Sequence, residues 1–281
     1  QYFQLRLKCY IRFRLMSLQQ FVFAALLPVF ALPMAYKWGV SGFIVGQAIG
    51  ALLVCLLIVF WDPLKITSSW DWWALKNLVK TGFPIMLAGL LYSLLTSVDR
   101  WVLLNFLGVE ALGHYTLAIL CLGVLSLLPA VVAQQMYPRM AFRFGQTRNK
   151  QSLLPLIIRQ SLMGTVVTVP ILVVAYVVLP FLVDRYMPAY RLGIEPARIL
   201  LVGLGFIPLA GGVGNFLNTV GKQGYYLAVQ AGAVLINFCL DVLFVKLGWG
   251  LNGVALGAAL SYALYAIILI IVGLWVMRKV E

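Results

Sequence analysis

The chain has 281 residues, of which 63% are hydrophobic and only 10% are charged, and its formal net charge is +13. With a mean hydropathy of +0.99, it carries more apolar side chain than a water-soluble domain could cover. The positive charge is spread over many short segments and forms no basic nucleic-acid-binding motif, so nucleic acid is not an expected partner. Composition therefore predicts a membrane protein.

Apolar runs long enough to cross a bilayer follow one another along the whole chain. They cover approximately residues 17–36, 38–60, 81–107, 111–137, 156–183, 196–220, 224–246 and 250–276. A hydrocarbon core about 30 Å thick needs about 20 residues of α-helix, so each run predicts one transmembrane helix. The predicted fold class is therefore an all-α membrane protein, a polytopic helical bundle of about eight transmembrane helices in contact with membrane lipids.

The basic residues lie mainly on one side of these spans. When the runs are threaded alternately, most of the 21 lysines and arginines fall in both terminal segments and in the loops of the same side. The positive-inside rule predicts that this side is cytoplasmic. We therefore expect both ends of the chain in the cytoplasm, with Pro138–Ser152 as a basic cytoplasmic loop and Asp184–Glu195 as the only sizeable outer loop.

The segment 61–80, WDPLKITSSWDWWALKNLVK, separates the second span from the third. Pro63 blocks continuation of the preceding helix, and Ser69 is a plausible N-cap for a new one. Three tryptophans within four residues are typical of a helix at headgroup depth. We interpret the segment as an interfacial helix that joins two bundles, and an ordinary cytoplasmic loop is the alternative.

Asp99 and Arg100 are the first ionisable residues inside a predicted span. A charge within a bilayer is costly, which makes each such residue a functional candidate. Adjacent residues on a helix point about 100° apart, so we expect at least one of the two to face the bundle interior. The alternative is that both side chains extend to the outer interface.

A polar stripe runs along one face of the seventh span, residues 224–246. Gln230, Asn237 and Asp241 lie within about 40° of arc on one helix face. This pattern suits either a water-filled cavity with an ion site at the carboxylate or a hydrogen-bonded seam between helices.

Three further residues are weaker candidates for a substrate pathway. Asn215 and Asn218 are three residues apart near the inner end of their span. Asn215 is the last residue of the glycine-rich segment 203–215, which surrounds Pro208. The glycines indicate either close helix packing or a discontinuous helix. Arg159, at the cytoplasmic start of its span, could attract an anionic headgroup such as a pyrophosphate, although topology alone also explains an arginine there.

The sequence offers little that indicates an enzyme. There is no nucleophile–base pair, the four cysteines form no CxxC pair, and His114 is the only histidine. We therefore expect neither a catalytic site nor a metal site nor a cofactor.

The run GFPIMLAGLLYSLLTSVDRWVLLNFLGVEALGHYTLA resembles the opening of the second lobe in polysaccharide flippases of the multidrug/oligosaccharidyl-lipid/polysaccharide exporter superfamily. The matching elements are Gly82/Pro84, Asp99/Arg100, Leu107/Gly108 and Gly113/Tyr115. The segments MYPRM, DRYMPAY, FLNTVGKQGYY and GWGLNGVALGAALSYALY continue the likeness in the same order, whereas His114 departs from a usually apolar position.

This resemblance implies a fold of two six-helix lobes around a central cavity. Residues 1–60 would then be the last two helices of the first lobe, 61–80 the interlobe linker, and 81–281 a MATE-like second lobe. Because four helices of the first lobe are missing in this arrangement, and the sequence starts at Gln1, we expect an N-terminally truncated chain.

The resemblance also implies a function. Such proteins move undecaprenyl-pyrophosphate-linked oligosaccharides across the bacterial inner membrane by alternating access, for surface polysaccharide such as O-antigen. Asp99 and Asp241 would couple this movement to H⁺ or Na⁺. The alternatives are a peptidoglycan-precursor flippase or a cation-coupled multidrug exporter of the same superfamily, and a membrane glycan polymerase or acyltransferase is a more distant one.

Overall fold

The computed structural model describes residues 13–61 and 71–278. Within these ranges every regular element is helical: α1 Phe13–Trp61, α2 Trp72–Leu95, α3 Val98–Phe106, α4 Gly108–Leu125, α5 Leu127–Thr147, α6 Leu154–Tyr186, α7 Ile194–Leu204, α8 Ile207–Thr219, α9 Gln223–Lys246 and α10 Gly250–Arg278. Two short 3₁₀ turns, Lys150–Leu153 and Pro188–Gly193, connect α5 to α6 and α6 to α7. The predicted all-α membrane fold is confirmed.

The number of spans depends on how the broken helices are counted. Among the described residues, six helices are long and apolar enough to cross a membrane, and a bent pair formed by Pro188–Leu204 and Ile207–Thr219 makes seven. This count takes Gln20–Leu57 as one helix. That segment folds back on itself at Trp38 and Gly39. Counting its two arms separately raises the number of spans from seven to the eight that hydropathy predicts.

The described residues form two compact units, which divide between Trp72 and Trp73. In the first unit, α1 turns back at Trp38 and Gly39, and Gly39 adopts a positive φ of 59° that favours glycine. Its two arms then pack against each other: Gly46 lies on the main chain of Phe30 and Ala31, and Gly50 faces Leu27. Glycines four residues apart let two helices approach closely in a bilayer.

Residues 72–80, predicted as the second half of the linker, form the first turns of α2 and continue without interruption to Leu95. Most of the first half of the predicted interfacial helix, including Ser69, lies outside the described residues. The division into 1–60, 61–80 and 81–281 stays a prediction.

In the second unit α10 is the central helix. It packs against α9 along its length and also contacts α7, α8 and α3. Small residues permit these contacts, because Gly203 of α7 lies against the main chain of Ala259, and Gly273 lies against Val213 of α8. Packing through small residues is expected where lipid removes the hydrophobic drive for helix association.

Two of the predicted spans are broken inside the second unit. The glycine-rich span bends by 44° between α7 and α8, where Pro208 occupies the first turn of α8. Close helix packing and a discontinuous helix were the two alternatives for its glycines, and both occur. The span 81–107 breaks between α2 and α3, where the Thr96 hydroxyl donates to the Tyr92 carbonyl at 3.2 Å. This break puts Asp99 in the first turn of α3, where the helix dipole favours a carboxylate.

The hairpin of α1 gives a matched pair of substitutions. A Cβ at Gly46 would lie 2.6 Å from Ala31 Cα, whereas a Cβ at Gly50 would lie 3.4 Å from Leu27 Cα. We expect Gly46→Ala to lower the free energy of unfolding by about 1–3 kcal/mol. Gly50→Ala should be neutral or stabilising, since alanine favours helix by up to about 1 kcal/mol. Thermal unfolding of the purified protein measures both, and equal melting temperatures would contradict the hairpin packing.

Candidate functional site

The polar stripe of α9 faces the interior of the second unit. Gln230, Asn237 and Asp241 are each 0% exposed. The helical periodicity of the sequence therefore identified one continuous buried face. A fully buried carboxylate is rare unless it is paired, hydrogen-bonded or bound to a cation.

Asp99 is the second buried carboxylate of this unit, with 2% of its surface exposed. Its Oδ1 accepts a hydrogen bond from the main-chain N–H of Arg100 at 3.0 Å. Asp99 and Asp241 lie close enough for their carboxylates to interact electrostatically. Two buried carboxylates that interact repel each other when both are ionised, so the pair favours protonation of one of them or a bound cation.

Two tyrosines complete this group, which we call the carboxylate cluster: Asp99, Tyr115, Asn237, Asp241 and Tyr262. Tyr115 of α4 lies beside Asp99, and Tyr262 of α10 lies within electrostatic range of both carboxylates. Both tyrosine side chains are fully buried. The cluster thus joins α3, α4, α9 and α10.

Several oxygens of the carboxylate cluster lack a hydrogen-bond partner among the described residues. They are both carboxylate oxygens of Asp241, Oδ1 of Asn237 and the hydroxyl oxygen of Tyr262, whereas the hydroxyl of Tyr115 lies within hydrogen-bonding reach of Asp99. Leaving a buried polar atom unpaired costs about 1–3 kcal/mol, and more for a charged group. Oxygens in this arrangement suit a proton or a hard monovalent cation, because hard cations take carboxylate, amide and hydroxyl oxygens as ligands.

Asn237 also holds the helix break that positions Asp99. Its Nδ2 donates to the carbonyl oxygen of Leu95, the last residue of α2, at 3.1 Å. The main chain of α10 also lies close to Asp241 at Gly257. A side chain at this position would collide with Oδ1 of Asp241, so only glycine allows the approach. The cluster is therefore built by close backbone approach on one side and by an amide on the other.

Arg100 lies next to the cluster, and its positive charge acts on Asp99 and Tyr262. Its side chain is half-buried, and its Nε has no hydrogen-bond partner among the described residues. Of the pair Asp99 and Arg100, only the aspartate is fully buried in the bundle, which agrees with the expectation from helix geometry that the two point in different directions.

The remaining predicted residues lie elsewhere in the unit. Asn215 donates from Nδ2 to Oε1 of Gln160 at 3.0 Å and to the carbonyl of Ala133 at 3.2 Å, which ties α8 to α6 and α5. Asn218 is half-buried with an unpartnered Oδ1, and Arg159 is exposed on α6. These three residues are thus separate from the carboxylate cluster, and Asn215 makes a hydrogen-bonded seam between helices.

A cavity of about 300 Å³, which we call the tyrosine cavity, opens beside this seam. Its polar lining consists of Tyr92, Ser126, Asn215, Tyr226 and Tyr265. The hydroxyl groups of Tyr226 and Tyr265 lie close to each other. Gln230 is buried next to Tyr265, between this cavity and Asn237 of the cluster along α9.

Sequence reasoning did not single out the tyrosines or Gln160 as functional candidates. A tyrosine in an apolar helix resembles any other large core residue, and only its buried hydroxyl distinguishes it. A signal was present for Tyr262, because the adjacent Ser261 makes two successive polar groups within the long apolar run of α10, and both are 0% exposed. Among the described residues, no group of three histidine, cysteine or acidic side chains could hold a metal ion.

The fold and the site define a polytopic helical membrane protein with a buried pair of carboxylates. A family described as polysaccharide biosynthesis protein matches residues 3–187, which is more than half of the chain. The chain therefore belongs to this family of polysaccharide biosynthesis proteins. No curated protein matches the sequence.

Solved transporters share the fold. An outward-facing multidrug resistance MATE family transporter of the MOP superfamily matches with a TM-score of 0.83, 18% identity, and coverage of 94% of this chain and 63% of that one. A MOP superfamily transporter from Pyrococcus furiosus Vc1 (DSM3638), with a binding pocket of reversed polarity, gives the same four values. The MATE transporter ClbM in complex with Rb⁺ matches with a TM-score of 0.73, 14% identity, and coverage of 95% and 60%.

These structures are longer than the chain, which spans about 60–63% of their length. The likeness establishes the MATE-like fold of the polytopic bundle. The family match agrees with the expected resemblance to polysaccharide flippases.

Asn237 provides a test of the cluster's architecture. Asn237→Ala removes the hydrogen bond to the Leu95 carbonyl, and we expect it to lower the free energy of unfolding by about 1–3 kcal/mol. The control is Asn105→Ala, whose exposed amide donates within its own helix to the Trp101 carbonyl at 2.7 Å. Thermal unfolding should show little change for the control. Equal stability of the two variants would contradict the role of Asn237 at the helix break.

Proposed function

We propose that the protein is a transporter that moves undecaprenyl-pyrophosphate-linked oligosaccharide units across the bacterial inner membrane for surface polysaccharide or O-antigen synthesis. It would not be an enzyme: the chemistry is movement of a lipid-linked sugar between leaflets. The proposal is supported by membership of the polysaccharide biosynthesis family together with the MATE-like fold. Alternating access is the general mode of transporters built from repeated helical lobes.

The observation that carries the transport proposal is the carboxylate cluster. Asp99 and Asp241 are buried on different helices, and both oxygens of Asp241 lack a partner among the described residues. A membrane protein that keeps two costly carboxylates in its interior needs a use for them. Coupling to H⁺ or Na⁺ is such a use, and a solved protein of the same fold holds Rb⁺.

Cation binding can be converted into movement because the cluster joins four helices. A cation or proton between Asp99 and Asp241 would relieve their repulsion and draw α3 and α9 together. Its release would restore the repulsion and favour a different packing. A ligand that binds one packing more tightly shifts the population towards it, which is the requirement for coupling.

The other predicted residues receive roles within this proposal. Arg100 and Arg159 would attract the pyrophosphate, since arginine matches phosphate oxygens in charge and geometry. Asn215, Asn218, Gln230 and Asn237 would provide polar contacts along the pathway. Both ends of the described chain would lie in the cytoplasm.

A cation-coupled multidrug exporter is the second candidate, because the solved proteins of this fold include multidrug resistance transporters. A strain that lacks the gene distinguishes glycolipid flipping from drug export when its lipid-linked glycan and its drug sensitivity are both measured. Accumulation of lipid-linked glycan in the inner leaflet supports flipping, and increased drug sensitivity with normal glycan supports drug export. Single repeat units outside the cell would instead indicate a polymerase.

Neutralising the carboxylates tests the coupling. We expect Asp99→Asn and Asp241→Asn each to weaken the ion dependence of transport by about 10–100-fold, since hydrogen bonds and contacts of charged groups contribute about 1.5–3 kcal/mol. The measurement is glycolipid transport in proteoliposomes under an imposed H⁺ or Na⁺ gradient. Glu110→Gln, which changes an exposed carboxylate of α4, is the control and should behave like the wild type. Unchanged ion dependence in both aspartate variants would refute the coupling.

The predicted topology can be checked with single cysteines. Cys55, Cys121 and Cys239 are free thiols and are first replaced by serine, together with Cys9. In intact cells, a membrane-impermeant maleimide should label Arg185→Cys, in the last turn of α6 on the predicted outer side. It should fail to label Gln146→Cys, in the last turn of α5 on the predicted cytoplasmic side, before lysis. Both positions are exposed. Labelling in the reverse order would place Pro138–Ser152 outside the cell and overturn the topology.

A further inference from the structure

The tyrosine cavity is separate from the carboxylate cluster, and no role has yet been given to its three tyrosines. It is lined by α2, by the junction of α4 with α5, and by α8, α9 and α10. Its volume of about 300 Å³ is at the lower end of the range for small-molecule sites, about 300–1,000 Å³. The cavity therefore fits a group much smaller than a complete oligosaccharide.

The lining of the cavity is mainly apolar, with a few uncharged polar groups. Hydroxyl groups come from Tyr92, Tyr226, Tyr265 and Ser126. Asn215, whose Nδ2 already donates to Gln160 and Ala133, adds its Oδ1 acceptor. The other lining residues are apolar. A pyrophosphate or a drug cation would enter this lining without an opposite charge, at a large desolvation cost. The lining instead matches a neutral ligand that is rich in hydroxyl groups.

Tyrosine is well suited to such a ligand. Its ring offers an apolar face to the C–H groups of a sugar ring, and its hydroxyl both donates and accepts hydrogen bonds. The ring of Tyr226 lies against the backbone of α8 at Gly214. A Cβ added to Gly214 would come within 3.0 Å of the ring. The glycine thus leaves room for the hydroxyl end of the tyrosine ring.

Small residues create the space. Ala130, Ala133, Ala210 and Gly211 line the cavity between the polar groups. A Cβ at Gly211 would meet only Nε2 of Gln160, at 3.5 Å, which is ordinary contact. Larger side chains at these positions would occupy the volume that a ligand needs.

We propose that the tyrosine cavity binds one sugar residue of the lipid-linked oligosaccharide. This inference rests on the proposed function and adds to it the part of the substrate that the second unit recognises: the glycan rather than the pyrophosphate. The site shares α9 and α10 with the carboxylate cluster. Tyr226 and Asp241 are 15 residues apart on α9, a rise of about 22 Å. On α10, by contrast, Tyr265 of the cavity is only three residues from Tyr262 of the cluster, so the two sites adjoin along this helix.

The test measures binding to the complete protein in nanodiscs. The probes are undecaprenyl pyrophosphate bearing one N-acetylglucosamine, the same lipid bearing one galactose, and the same lipid without sugar. We expect the wild type to bind at least one glycosylated lipid more tightly than the bare lipid. Tyr226→Phe and Tyr265→Phe should each reduce this preference by about 3- to 10-fold, as expected for one lost hydrogen bond.

A steric variant gives a second measurement. Ala130→Leu fills the cavity and should abolish the preference for the glycosylated lipid while binding of the bare lipid is retained. Ala141→Leu, the same change at an exposed position of α5 away from the cavity, is its control. Tyr186→Phe, at the exposed end of α6, is the control for the tyrosine variants.

The outcomes separate this inference from the proposed function, because flipping of the same lipids is measured in parallel. Equal binding of all three lipids by the wild type overturns the inference, as does a sugar preference that survives in Ala130→Leu. A preference that the cavity variants lose supports the inference even if no flipping occurs, and in that case the transport proposal alone fails.

Discussion

Two carboxylates placed out of water, within electrostatic range of each other, constrain the second unit more than any other feature. Asp99 and Asp241 cannot both keep their charge there without compensation. The surrounding structure is arranged to hold them together. A helix break places Asp99 at the start of α3, an asparagine fixes that break, and a glycine brings α10 against Asp241. A proton or cation is the simplest partner for this arrangement.

Close backbone packing makes both polar sites possible. In lipid, helices associate through van der Waals contact and small residues rather than through the hydrophobic effect. Gly257 admits the carboxylate of Asp241, Gly214 admits the ring of Tyr226, and Gly203 lets α7 cross α10. The same property that holds the bundle together therefore also shapes its interior, because Gly257 and Gly214 each leave room for a polar side chain of a neighbouring helix.

Much of the candidate site could be predicted from the sequence where periodicity applies. Gln230, Asn237 and Asp241 lie on one helix, so their spacing alone placed them on one buried face. The partners of this face could not be found in the same way. Tyr115, Tyr262 and Leu95 come from three other helices, and spacing within one helix carries no information about which helices meet. Asn215 shows the converse, since its hydrogen bond to Gln160 lies outside the carboxylate cluster.

Hydropathy and charge, read along the chain, were sufficient for the membrane class and for the spans, because an α-helix in lipid must be apolar over a fixed length. They also predicted the eight segments, two of which the structure joins as the arms of one α-helical hairpin. Only the tertiary structure decided which polar groups come together and where a cavity opens. Those outcomes depend on close approaches at particular glycines and on the hydrogen bond from Asn237 to Leu95 beside the break at Ser97, which are contacts between helices distant in sequence.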